Sequence, residues 1–174
     1  MRILAVLWVA LASSSAWAQY APNSTGLGVM TVAGNDTLRL DTQVGVGLMG
    51  TRQIGVGSWS WTYRGIIAAT TANFDRNQTT FLPAWIGTGL RYDFMDDRFR
   101  PFVLASGTYY QLTNAPADFE AGTYMVGASL RAGIEHYIAS EISVQLDLGG
   151  TWFIQLDRTD PVTLDAVVGV KVHY

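Results

Sequence analysis

The sequence predicts an all-β fold, an eight-stranded antiparallel up-and-down transmembrane β-barrel. Three observations carry that prediction. From Thr37 onward, apolar residues recur at every second position, the period of a strand whose two faces differ in chemistry. Within those stretches the charged residues stay off the apolar face. Each stretch is also at least as long as the roughly 9–11 tilted residues that cross a bilayer as a strand.

Composition narrows the choice further. A chain of 174 residues has room for one domain. It is 49% apolar and only 14% charged, with 18 Gly and 12% aromatic residues, which excludes a disordered chain and points away from a helical bundle. There is no Cys, so neither a disulfide framework nor a thiolate metal site can hold the fold, and topology must do so instead. The formal charge of −3, with 11 basic residues spread along the chain, offers no electrostatic footprint for nucleic acid.

The start of the chain reads as an address. Met1-Arg2, the apolar run Ile3 to Ala12 and the small residues of Ala16-Trp17-Ala18 predict a signal peptide over residues 1–18, cleaved before Gln19. That run is shorter than the roughly 20 residues of a spanning helix. Gly or polar residues interrupt every later apolar run, so residues 19–174 could cross a membrane only as a closed barrel.

A weak first strand is expected at Gly26 to Ala33, followed by Leu38 to Leu48, Trp59 to Ala69, Leu82 to Phe94, Phe102 to Leu112, Tyr124 to Ile138, Glu141 to Leu156 and Val162 to Tyr174. Turn-forming residues at Gly34-Asn35-Asp36, Asp75-Arg76-Asn77, Met95-Asp96-Asp97, Asn114-Ala115-Pro116 and Asp160-Pro161 separate them.

Arg39, Asp41, Arg64, Arg91, Asp93, Arg131, Glu135, Asp147, Asp165 and Lys171 all fall opposite the apolar face. Bases and acids balance among them, so a lumen built from these side chains could be neutral, each charge paired rather than isolated at high cost. Gly at positions such as 45, 47, 87, 89, 107, 133 and 149 shares that face and would leave room for the long side chains. On the lipid face, aromatics are expected in two interfacial girdles, Trp59, Phe94, Phe102 and Tyr174 at one rim and Tyr110, Tyr124 and Trp152 nearer the other.

Tyr92-Asp93-Phe94 followed by Arg100-Pro101-Phe102 is similar to a periplasmic turn of small bacterial outer-membrane barrels. Tyr174, preceded at alternate positions by Val172, Val170 and Val168, resembles their carboxy-terminal signal. On these residues the chain resembles the OmpA transmembrane-domain, OmpX and OmpW superfamily over Gln19 to Tyr174. The resemblance implies a porin-like, monomeric outer-membrane protein of a Gram-negative bacterium, without cofactor and with a structural or accessory role. It implies an internal ion-pair network among the ten charges. Its implied partners are outer-membrane lipid, lipopolysaccharide and the barrel-assembly machinery, the last through the C-terminal strand. A second reading is a narrow channel or a transporter of small apolar molecules of the OmpW type.

Some barrels of this size modify lipid A with a Ser activated by a His that a carboxylate orients. The only histidines here, His136 and His173, fall at the predicted periplasmic rim, away from the outer leaflet, so no enzyme is expected. His136, near Ser140 and Glu141, reads as an interfacial residue beside Tyr137. Asp96-Asp97 and Asp157 with Asp160 lack the ligand count that calcium requires, and no metal site is expected.

Overall fold

The computed structural model describes residues 23–33, 41–54, 57–74, 77–95, 97–113, 124–154 and 162–174. The signal peptide with its cleavage site, Arg39, and the expected turns at 34–36, 114–116 and 160–161 lie outside them. Nine strand segments follow in chain order: β1 (Ser24–Val32), β2 (Gln43–Gln53), β3 (Trp59–Phe74), β4 (Asn77–Phe81), β5 (Pro83–Asp93), β6 (Phe99–Leu112), β7 (Tyr124–Ala139), β8 (Ile142–Ile154) and β9 (Val162–His173).

They make eight staves of a closed antiparallel barrel. Each stave pairs with the next along the chain, and β1 pairs with both β2 and β9, so the ladder returns on itself. β4 and β5 form one stave. Thr70 pairs with Phe81 and Ile67 with Ala84 in the same register, and the ladder is interrupted only at Leu82-Pro83, where proline has no N–H to donate.

The ends of the barrel differ. One rim carries the start of β1, the end of β9 and the tight β2–β3, β5–β6 and β7–β8 turns. There His173 N donates to Glu141 O (2.8 Å) and Tyr174 N to Asn23 O (3.0 Å). In the β2–β3 turn Gly57 has φ 122°, a left-handed conformation that glycine accepts without strain. We call this the terminal rim and the opposite one the loop rim.

Alternation sorts the side chains into an outer and an inner face. Leu27, Val46, Leu48, Ile67, Ile86, Leu130, Leu148, Leu164 and Val170 are exposed on the outer wall. Inside, Met30, Val32, Met49, Ile66, Phe81, Trp85, Tyr110, Leu112, Met125, Phe153 and Val167 form one apolar cluster that occupies the half toward the loop rim. Trp85, Tyr110 and Phe153 are its centre, with ring centroids 4.8–5.8 Å apart.

Two expectations about faces and boundaries are corrected. β6 has the opposite parity to the one expected: Phe102, Leu104, Tyr110 and Leu112 point inward, while Val103, Tyr109 and Gly107 point out. Both faces of Phe102 to Leu112 are uncharged and mix apolar with small polar residues, so periodicity could not choose between them. β2 begins at Gln43, not Leu38, and runs on to Gln53. Asp41 therefore precedes the strand, and alternation does not carry it into the lumen. It lies exposed, accepting a hydrogen bond from Thr71 Oγ1 at 2.7 Å.

The interior is filled by setting large residues against small ones. A Cβ at Gly133 would stand 2.6 Å from Phe102 Cζ and 2.5 Å from Leu146 O, and a Cβ at Gly149 would stand 2.6 Å from Arg131 Cγ. A Cβ at the outward Gly107 would meet nothing within 4 Å. Gly133→Val should therefore lower the stability of the micelle-refolded barrel by about 1–3 kcal/mol, whereas Gly107→Ala should move it by no more than about 0.5 kcal/mol. Urea midpoints of the two variants check both the packing and the parity of β6, and equal midpoints would contradict them.

Candidate functional site: the charged lumen

Inward positions toward the terminal rim bring ionised side chains from five strands together. Glu135 of β7 is the first hub. Arg91 Nη1 approaches Glu135 Oε2 at 2.6 Å, Lys171 Nζ lies 3.2 Å from the carboxylate, and Ser143 Oγ donates to Oε1 at 2.5 Å. Arg91 also binds Asp93 through Nε (2.8 Å) and Nη2 (2.5 Å), and its guanidinium lies 3.9 Å from the centre of the Phe102 ring.

Asp147 of β8 is the second hub. Arg131 Nε donates to Oδ1 at 2.5 Å, and Arg64 Nη2 reaches both carboxylate oxygens at 3.3 Å. Arg131 Nη1 turns to Asp165 of β9. Gln145 joins the hubs: its Oε1 accepts from Arg91 Nη1 (3.4 Å) and its Nε2 donates to Asp147 Oδ2 (2.5 Å).

Eight of the ten sequence-selected charges thus meet: Arg64, Arg91, Arg131 and Lys171 with Asp93, Glu135, Asp147 and Asp165. Four cations face four carboxylates, and the pairs are buried or nearly so, where desolvation makes an uncompensated charge costly. Asp41 is not among them, and Arg39 lies outside the described residues.

Sequence reading left the neutral Gln145, Ser143 and Tyr137 out of the site, set Phe102 on the outer face and missed the inward role of His173. Each shares the parity of a charge on its own strand, Phe102 that of Arg100, which is the signal that could have found them. Toward the loop rim the ion pairs give way to hydroxyls: Ser129 Oγ shares hydrogen bonds with Thr108 Oγ1 (2.6 Å) and Thr151 Oγ1 (2.7 Å). A cavity of about 40 Å³ lies between these layers, bordered by Arg64, Arg91, Arg131 and Lys171. That is room for a few water molecules and not for an organic solute.

His173 stands 2.7 Å from Ser143 Oγ through Nε2 and 3.1 Å from Tyr137 Oη through Nδ1. The order of these contacts differs from that of a hydrolytic triad. Ser143 gives its proton to Glu135, so Nε2 can only donate to Ser143, the reverse of a base; the carboxylate sits on the same side of the ring as the serine, 3.2 Å from Nε2. All three groups are buried. His136 points out and packs against Phe99, with centroids 6.4 Å apart.

Of the expected girdle aromatics, Trp59, Phe94, Tyr124, Trp152 and Tyr174 are exposed on the outer wall. Phe102 and Tyr110 are not: they are 2% and 1% exposed, because the parity of β6 turns them into the lumen. Phe102 supports Arg91, and Tyr110 belongs to the apolar cluster.

No known protein family matches the sequence, and neither does any curated protein. Solved structures do match the fold. Neisserial surface protein A aligns with a TM-score of 0.56 at 10% identity, covering 87% of this chain and 96% of that one. The outer-membrane enzyme PagL aligns with a TM-score of 0.54 at 11% identity, covering 87% and 99%. The N-terminal β-barrel domain of Pseudomonas aeruginosa OprF aligns at 0.49 with 13% identity, covering 87% and 98%. At such identities the likeness is one of architecture, and the architecture is that of the small eight-stranded outer-membrane β-barrels.

Proposed function

We propose that this chain is an integral outer-membrane barrel of a Gram-negative bacterium, with a lumen closed by its own side chains and a structural or accessory role. The observation that carries the reading is the contrast between the two faces of one wall. Outside, aliphatic residues run between rims of Trp, Tyr and Phe, as a bilayer demands. Inside, among the described residues, an ion-pair network and an apolar cluster stack along the axis, and the cavity of about 40 Å³ between them has room for only a few water molecules. Strands of 11–16 residues in β2, β3 and β5 to β9 suffice to span the hydrocarbon layer.

Export would use residues 1–18, removed before Gln19, and β9 with Tyr174 at its end would be presented to the assembly machinery. Closure leaves no free sheet edge, which favours a monomer. The buried Ser143–His173 pair, with its proton directed to Glu135, supports a non-catalytic role, so no change in lipid A is expected on overexpression, and mass spectrometry of extracted lipid A checks it.

Membrane integration is tested by fractionation: the protein should stay with outer membranes through buffer and salt washes, leave only in detergent, and migrate differently in boiled and unboiled gel samples. Extraction by buffer alone would overturn the assignment. A planar bilayer containing the purified barrel should stay electrically silent, and sustained unitary currents would favour the narrow-channel reading instead. Arg131→Glu, which sets a third carboxylate against Asp147 and Asp165, should cost about 3–5 kcal/mol, read as a lower urea midpoint in micelles.

A further inference from the structure

Among the described strand residues, the outer wall carries one charge. Because β2 runs on past Leu48, its outward row reads Val44, Val46, Leu48, Gly50 and Arg52. Among the described strand residues, Arg52 is the only Asp, Glu, Lys or Arg that faces outward, every other one pointing into the lumen. It is exposed, and it makes no hydrogen bond or ion pair among the described residues.

Its surroundings are aromatic. Trp61 is its direct partner across the β2–β3 ladder, and Trp59 and Tyr63 flank Trp61 on the same face, within diagonal reach of a long side chain. Trp59 and Trp61 are 52% and 45% exposed. Tyr63 is held in place from the other side, its hydroxyl 2.7 Å from Thr25 Oγ1, which is also 3.3 Å from Tyr174 Oη. The group lies at the terminal rim, where the aromatic belt would meet the membrane–water interface.

A guanidinium without a partner among the described residues, set in a lipid-facing belt, is complemented by an anion that the membrane supplies at that depth. Phospholipids supply a phosphate diester there. The planar fork of Arg matches two phosphate oxygens, and the neighbouring indoles offer N–H groups and flat apolar surface for the glycerol backbone. We propose that Arg52, flanked by Trp59 and Trp61, is a binding site for the phosphate of a phospholipid in the leaflet at the terminal rim. This rests on the membrane-spanning reading above.

The test uses the full mature barrel, with its arginine guanidinium nitrogens labelled with 15N, reconstituted in bilayers of phosphatidylethanolamine and phosphatidylglycerol. Solid-state 15N–31P dephasing should report arginine nitrogens in contact with lipid phosphorus in the wild type. A component of that signal should be lost in Arg52→Gln. Arg52→Lys, which keeps the charge while removing the labelled guanidinium, should lose the same component and serves if the Gln variant does not insert. Unboiled gel migration establishes insertion in each sample. Identical dephasing in the inserted wild type and variants would overturn the phosphate site and leave the barrel assignment standing. A wild-type protein that never enters the bilayer would overturn both.

Discussion

Everything in this molecule depends on the pairing of β1 with β9. That ladder, from Ser24 opposite His173 to Val32 opposite Asp165, converts a twisted open sheet into a closed wall and gives every stave two neighbours. A sheet with free edges would leave backbone N–H and C=O groups unsatisfied in hydrocarbon, at several kcal/mol each, so closure is the condition for burying the wall in lipid at all. Closure also fixes the meaning of alternation: once the sheet has an inside, each residue is committed to one side or the other.

The inside is solved in two different ways along its length. Toward the loop rim, bulky rings and thioethers fill the space by shape alone, with Trp85, Tyr110 and Phe153 in mutual contact. Toward the terminal rim, charge does the filling. Glu135 and Asp147 each gather two cations, and Gln145 passes hydrogen bonds from one to the other. The glycines opposite Phe102 and Arg131 belong to the same solution, because a narrow barrel can hold a long side chain only where its neighbour contributes almost no volume.

Much of this was legible in the sequence, and the exceptions have physical reasons. Seven runs of alternation and a weaker first one, the exclusion of charge from one face and the length of the runs pointed to the barrel, and they selected ten charges, eight of which meet in its lumen. β6 went wrong because Phe102 to Leu112 carries no charge and mixes apolar with small polar residues on both faces, so alternation gives neither side a distinct chemistry. Arg100, two residues before Phe102 and in register with Glu135, held the missing information: its parity is that of Phe102. Asp41 was misjudged, and Arg52 left unassigned, through strand boundaries, which depend on how far each neighbour continues to pair, a property of the closed sheet. His173 lies at the terminal rim, and its inward turn against Tyr137 and Ser143 follows from the parity of a strand whose last residue had drawn attention to the opposite face.

The ion pairs also bear on how the barrel comes into being. Arg64 on β3 reaches Asp147 on β8, and Arg91 on β5 reaches Glu135 on β7 and neighbours Lys171 of β9 through it, so the partners come from staves that are not adjacent in the wall. Arg91 with Asp93 and Arg131 with Asp147 can pair within one stave or between neighbours, whereas Arg64 meets Asp147 only when the wall curls round to bring β3 opposite β8. In a bilayer each unpaired charge of an open sheet would be costly, so the closed wall is the state in which a membrane could hold these side chains.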